Sequence, residues 1–181
     1  MTNYRRAFIE NSYVFITVVT FNRHPILIDN IDLLKESIRN SQKYFNYQII
    51  GLVILPEHFH IIIKPNIIHE YPRIIASIKY YFSRNSNLTI HYSSHQTLNN
   101  SQLKKREKGI WQRRYWEHTI KDQEDLNRHL DYIHYNPVKH RAVSSVRDWM
   151  YSTFHEFVKL GYYDVNWGSI DDIKHIGYKL R

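Results

Sequence analysis

The chain has 181 residues, 43% of them hydrophobic, no cysteine, and a formal net charge of +8 from 25 Lys and Arg against 17 Asp and Glu. That length and apolar content support a single domain with a packed core. The lack of cysteine excludes disulfides, thiolate catalysis and Cys-based zinc sites, and no run approaches the roughly 18 apolar residues of a membrane span. The opening MTNYRRAFIENSYVFITVVT carries a strand-like apolar block containing Thr17 and Thr20, with no small-residue cleavage site after it. No secretion signal is therefore expected, and a cytoplasmic location is. Basic charge and an aromatic content of 15% suit a polyanionic partner with unpaired bases. A basic protein whose tyrosines serve packing has the same totals.

In chain order, YVFITVVTF (13–21) is rich in β-branched and aromatic residues and reads as a strand. IDLLKESIRNSQKYF (31–45) places Ile31, Leu34, Ile38 and Phe45 near helical spacing. YQIIGLVILP (47–56) and HFHIIIKP (58–65) read as a second and third strand, joined by a short Pro-Glu turn into a hairpin. PRIIASIKYYFSRN (72–85) is a helix, with Pro72 in its first turn and Ile75, Ile78 and Phe82 as its apolar stripe. Residues 85–103 contain no Lys, Arg, Asp or Glu and read as a long polar loop. Residues 104–121 are basic, so that 85–108 together look like a polar and basic insertion.

Within the basic segment, GIWQRRYWEHTI (109–120) reads as a fourth strand. DQEDLNRHLDYIHYN (122–136) reads as a helix capped by Asp122, with acidic residues in its first turn. Pro137 is expected to end it, because proline lacks the N–H that the helix ladder needs. The tail SVRDWMYSTFHEFVKLG contributes one irregular helix or two short ones. The order strand, helix, strand, strand, helix, strand is the ferredoxin-like split βαβ pattern: an α+β fold with a four-stranded antiparallel sheet, helices on one face, and extra C-terminal helices. Its other face is open to a ligand or a further helix. No internal repeat and no second domain are visible, so residues 1–181 are read as one domain.

Two constellations carry chemistry. On a strand, His58 and His60 share a face while Phe59 and Ile61 point the other way. Such an H-x-H pair converges on a metal ion, or else places two histidines on a solvated sheet face. In HLDYIHYNPVKH (129–140), Tyr132 and Asn136 are one helical turn apart with His129 beside them. The alternative is a tyrosine at the edge of the core and an asparagine capping the helix before Pro137.

PEHFH followed downstream by LDYIHYNPVKH, on a ferredoxin-like order, resembles the single-tyrosine HUH nucleases. Among these the chain is most similar to the REP-associated tyrosine transposases, the branch related to the transposases of IS200/IS605 elements. YRRAFI, VILPEHFHIII, IWQRRYWEHTI, DYIHYNPVKH and DWMYSTFHEFVKLGYY…DVNWG all look like blocks of that family, so the resemblance spans nearly the whole chain. It implies an HUH nuclease core in which His58 and His60 bind a divalent ion, Tyr132 is the nucleophile and Asn136 is a polar third ligand. His118 and His129 would stand in the outer shell.

Two imidazoles and an amide suit Mg²⁺ or Mn²⁺ with open positions for water and phosphate. A free tyrosine has a pKa near 10 and needs help to attack a phosphodiester at neutral pH. The resemblance implies attack that yields a 5′-phosphotyrosine and a free 3′-hydroxyl, with rejoining that needs no ATP. The substrate would be single-stranded DNA beside a REP-type hairpin. The DNA-binding candidates are Arg5, Arg6, Lys104, Lys105, Arg106, Lys108, Arg113, Arg114, Lys139 and His140, with Trp111, Tyr115 and Trp116 as stacking platforms. A charge run is also what a solvated face looks like. The resemblance allows a monomer or a homodimer, cytoplasmic and nucleoid-associated when bound to DNA. The competing readings are a non-catalytic hairpin-binding protein on the same fold and an H-x-H hydrolase that uses water as nucleophile.

Overall fold

In the computed structural model, residues 8–88 and 108–169 are described. Four strands form the sheet: β1 (Val14–Val19), β2 (Tyr47–Ile54), β3 (His58–Pro65) and β4 (Trp116–Thr119). The helices are α1 (Ile31–Gln42), α2 (Tyr71–Asn85), α3 (Gln123–Lys139) and α4 (Phe154–Lys159). Strand order is β2-β3-β1-β4 with every neighbouring pair antiparallel, which is the ferredoxin-like arrangement. Arg5, Arg6, Lys104, Lys105 and Arg106, with most of the expected 85–108 insertion, lie outside the described residues.

Alternation along the strands decides the layering. Val14, Ile16 and Val18 of β1 and Phe59, Ile61 and Ile63 of β3 share a core with Leu34, Ile38, Ile74, Ile75, Ile78 and Phe82 of α1 and α2. Phe15, Val53, Leu55 and Ile62 point the other way and are covered by Leu126, Leu130 and Ile133 of α3. The open face of the sheet is therefore taken by α3. Gly51 on β2 permits the close approach: a Cβ there would stand 2.8 Å from Leu130 Cδ2. The C-terminal segment shields the edge of β2, with Ile54 N donating to Tyr151 O and Thr153 N to Leu52 O, each at 2.9 Å.

Two expectations are corrected. The fourth strand is not twelve residues long but only Trp116–Thr119. Residues 110–112 instead run beside the end of β1, through Phe21 N to Ile110 O and Gln112 N to Val19 O. The Lys79 ammonium of α2 donates to the carbonyls of Gln112 and Arg113 at 2.7 and 3.2 Å, claiming acceptors that a longer ladder would have used.

The second correction is that α3 does not end at Pro137 but continues to Lys139. Buried Val138 packs with Tyr135, Val146 and Phe154, and that burial offsets the hydrogen bond proline cannot donate. The true terminus is a Schellman turn: Ala142 N donates to Pro137 O and Arg141 N to Val138 O, with Arg141 at φ 59°. At the other end Asp122 caps the helix as expected, its Oδ1 accepting from Asp125 N at 2.8 Å. The tail holds a 3₁₀ turn at Val146–Asp148 and the short α4, the second of the two forms expected.

Replacing Gly51 by Val drives a side chain into Leu130. It should lower the denaturation midpoint by the equivalent of about 1–3 kcal/mol and displace α3. A second prediction concerns pH. His134 of α3 is fully buried, with Nε2 3.0 Å from Thr153 Oγ1, and burial pushes its pKa down to about 3. The unfolded chain takes up that proton near the ordinary 6.5, so this contribution to stability is complete above pH 6.5 and is lost as pH falls toward 3. Urea midpoints measured between pH 7 and pH 4 should fall accordingly, and less steeply in His134→Gln.

Candidate active site

The register of the sheet assembles the site. Val19, Thr17 and Phe15 of β1 stand directly opposite His58, His60 and Ile62 of β3, so all six side chains share the α3 face. His58 and His60 are each only 3% exposed. Their rings lie 4.8 Å apart between centroids, and the Tyr132 ring of α3 is 5.2 Å from that of His60. Both histidines thus face the helix that bears Tyr132. Phe59 between them belongs to the opposite core, as its alternation requires.

Each imidazole has one nitrogen committed. His60 Nδ1 is 2.8 Å from Thr17 Oγ1, and His58 Nδ1 donates to Glu57 Oε1 at 3.1 Å. Glu57 is held in turn by Arg23 at 3.4 Å. The Glu57 carboxylate favours the His58 tautomer that leaves the Nε2 lone pair available to a ligand, and Thr17 Oγ1 can accept from His60 Nδ1 to leave its Nε2 available as well. Burial lowers the pKa of His60 well below the usual imidazole range; His58 and His140 push the same way, and the facing Asn136 amide partly offsets them. Burial also lowers His58, opposed by the Glu57 carboxylate. Both rings are neutral at pH 7, the form that binds a metal.

Asn136, one turn beyond Tyr132, is fully buried. The amide faces His60, yet neither of its atoms nor His60 Nε2 completes a well-formed hydrogen bond among the described residues. Such orphans cost free energy, and three of them in one place fit a site built to hold an ion through two imidazoles and an amide oxygen. This donor set is neutral, so a bound divalent ion would keep its charge for an anionic substrate.

A cavity of about 430 Å³ opens in front of the two histidines and Tyr132. Phe15, Thr17, His58, His60 and Tyr132 line it, and Arg23, Lys139, His140 and half-exposed Trp116 stand around them. The continuation of α3 past Pro137 brings the last of its residues here. Lys139 Nζ lies 4.5 Å from the centroid of the Tyr132 ring, and the His140 ring is 5.0 Å from that of His58. Burial lowers the pKa of His140 as well.

The other sequence candidates fall elsewhere. Lys108 and Arg113 line a separate groove of about 530 Å³ beside α2, and Arg114 is exposed. Trp111 is no stacking platform: it is 6% exposed, its ring packs on Phe59 and Phe82, and its Nε1 donates to Lys79 O at 3.2 Å. Tyr115 packs against the same core. Sequence reasoning did not single out Glu57, Thr17 or Arg23. Glu57 was legible beside His58 in PEHFH, whereas Thr17 and Arg23 became visible only with the cross-strand register.

Residues 8–136 match the family described as "Transposase IS200 like", a match that ends on Asn136. The chain belongs to this transposase family. It is 39% identical over 176 residues to a REP-associated tyrosine transposase of Haemophilus influenzae, covering 96% of this chain and 97% of that protein. It is 34% identical over 175 residues to the REP-associated tyrosine transposase of Escherichia coli, covering 95% and 94%. The solved structure of a REP-associated tyrosine transposase bound to a REP hairpin superposes with a TM-score of 0.78 at 33% identity, covering 92% of this chain and 91% of that one. Within the IS200-like family, this transposase therefore sits with the REP-associated branch. No helix among its described residues is long and apolar enough to cross a membrane.

Replacing Asn136 by Leu removes two unsatisfied polar atoms at similar volume. The chelator-treated protein should gain stability, by up to about 1–3 kcal/mol in denaturant titrations. Any stabilisation that added Mg²⁺ or Mn²⁺ gives the unmodified chain should be largely lost in the same variant. A loss of stability in chelator would show instead that the amide is already satisfied.

Proposed function

We propose that this transposase is a single-domain, metal-dependent nuclease and strand transferase acting on single-stranded DNA beside REP-type hairpins through Tyr132. The observation that carries this reading is the buried, unsatisfied donor set of His60 Nε2 and Asn136 next to the Tyr132 ring. His58, His60 and Asn136 would hold the ion, Mg²⁺ or Mn²⁺. Bound there, the ion supplies charge neutralisation and orientation of the scissile phosphodiester.

The Tyr132 oxygen forms a bond to phosphorus as the bond from phosphorus to the 3′-oxygen breaks. The phenolic proton is passed on, and the leaving oxygen is protonated to a 3′-hydroxyl. The product is a 5′-phosphotyrosine, and reversal by another 3′-hydroxyl rejoins strands without ATP. Lys139, over the face of the Tyr132 ring, places a positive charge beside the nucleophile and the phosphate it attacks. Phe15 packs edge-on against Tyr132 at 5.9 Å and limits the rotation of the nucleophile. Arg23, Lys139 and His140 at the cavity suit phosphates, and exposed Trp116 suits an unpaired base. A REP hairpin as substrate is supported by the hairpin-bound relative and by the net charge of +8. The proposed setting is the cytoplasm, on chromosomal DNA.

Incubation of the chain with a single-stranded hairpin oligonucleotide and Mg²⁺ or Mn²⁺ should give an adduct that survives denaturing electrophoresis. Tyr132→Phe should abolish that adduct while leaving hairpin affinity unchanged. Cleavage without adduct that persists in Tyr132→Phe would sink the tyrosine mechanism in favour of a water nucleophile. Tight salt-dependent binding with no cleavage would leave only a hairpin-binding role.

A further inference from the structure

A second group of potential metal ligands lies outside the Tyr132 site. His118 on β4 and Asp125 and His129 on the first turns of α3 each present a ligand atom, and these atoms lie within 4.8 Å of one another. We propose that they form a separate binding site for a divalent transition metal of the Zn²⁺ class, fastening the edge strand to the start of the helix that carries Tyr132. The proposal stands independently of the strand-transfer reading.

The geometry is close to what such an ion requires. His118 Nε2 is 2.7 Å from Asp125 Oδ2, and His129 Nδ1 is 3.2 Å from Asp125 Oδ1. A tetrahedral ion with bonds of about 2.0–2.1 Å holds neighbouring donors about 3.4 Å apart. The two imidazoles approach different oxygens of the one carboxylate, at 2.7 and 3.2 Å, so an ion entering between them spreads the three groups by shifts on the order of 1 Å to reach that value. The imidazoles stack with centroids 4.7 Å apart, and both offer a nitrogen to the one carboxylate. His129 Nδ1 also lies 2.8 Å from Asp125 O, a contact it gives up on binding an ion, whereas its Nε2 is buried with no partner among the described residues.

Charge points the same way. The Asp125 carboxylate is buried between two rings, with Lys121 N donating to Oδ2 at 3.0 Å. Its nearest fixed cation, Arg128, is 3.6 Å away and is drawn aside by Glu124 at 2.8 Å. An ion between the rings replaces the proton that one of them otherwise shares with Asp125 and adds to the partial neutralisation that Arg128 gives. Two imidazoles with one carboxylate suit Zn²⁺, Co²⁺ or Fe²⁺, whereas Mg²⁺ prefers oxygen donors. The side chain of His118 is 27% exposed, which provides an entry path and room for water as a further ligand. Phe15 separates the two clusters, its ring 4.8 Å from that of His129 and 5.5 Å from that of His60.

The test uses the full chain stripped with a chelator and titrated with Co²⁺, followed by visible ligand-field absorption, and with Zn²⁺ against a chromophoric competitor. His58→Ala/His60→Ala should keep one tightly bound Co²⁺ or Zn²⁺. His118→Gln should weaken that site by at least the roughly 10–100-fold that loss of a supporting partner costs. His118→Gln alone, at a partly exposed edge-strand position, should cut the Zn²⁺ stoichiometry of the unmodified chain by one while circular dichroism stays native. Zn²⁺ should also raise the melting temperature of His58→Ala/His60→Ala, but not when His118→Gln is added. Zn²⁺ affinity undiminished by His118→Gln, or no tight Zn²⁺ in a folded His58→Ala/His60→Ala protein, would overturn the proposal.

Discussion

The contact on which the site depends is the packing of α3 across the second face of the sheet. Leu126, Leu130 and Ile133 settle on Phe15, Val53, Leu55 and Ile62, and Gly51 lets the helix come close enough for them to seal. Each such side chain contributes about 1.5–3 kcal/mol when fully buried. That apolar seam fixes the height and rotation of the helix, and with them the placement of Tyr132 beside His60 and of Asn136 beneath it. A shift of one residue along α3 would turn a hydrophobic side chain into the site and Tyr132 away from it.

The seam also explains how the protein tolerates polar groups in its interior. Two nearly unexposed imidazoles and a fully buried amide are costly to place in a core, and three of their polar atoms stay unpaired. Surrounding burial offsets that cost, and the unpaired atoms keep the donor set ready for a ligand. His134, whose Nδ1 is also unpaired among the described residues, sits in a different setting. It lies on another side of α3, bonded to Thr153 and enclosed by Phe154, Phe157 and Tyr163, and it serves packing. What sets His58 and His60 apart is that they border the cavity lined by Tyr132.

The C-terminal end of α3 extends the same logic. Burial of Val138 carries the helix past Pro137 to a turn at Arg141, and the extra residues bring Lys139 over Tyr132 and His140 against His58. The C-terminal segment holds this arrangement from outside: Trp149 Nε1 donates to Ile54 O at 3.0 Å, and Thr153 ties β2 to His134. Residues far apart in the chain thus act on one helix.

Much of this was legible without coordinates. Period-two alternation in β1 and β3 put Phe59 on one face and the two histidines on the other, because side-chain direction in a strand is local geometry. The order of elements predicted the ferredoxin-like sheet, and the spacing of Tyr132 and Asn136 put them on one helical face, because helix periodicity is local too. The blocks around PEHFH and DYIHYNPVKH carried the family resemblance. Interactions between distant segments were not legible. Pro137 read as a stop because its local effect is destabilising, and only the packing of Val138 against Val146 and Phe154 overrides it. GIWQRRYWEHTI read as one strand because nothing local reveals that Lys79 takes its carbonyls or that Trp111 fills the space beside Phe59 and Phe82. The sequence by itself thus determined which side chains share a face. Tertiary structure alone decided which faces meet, since that choice rests on burial and hydrogen bonds between residues tens of positions apart.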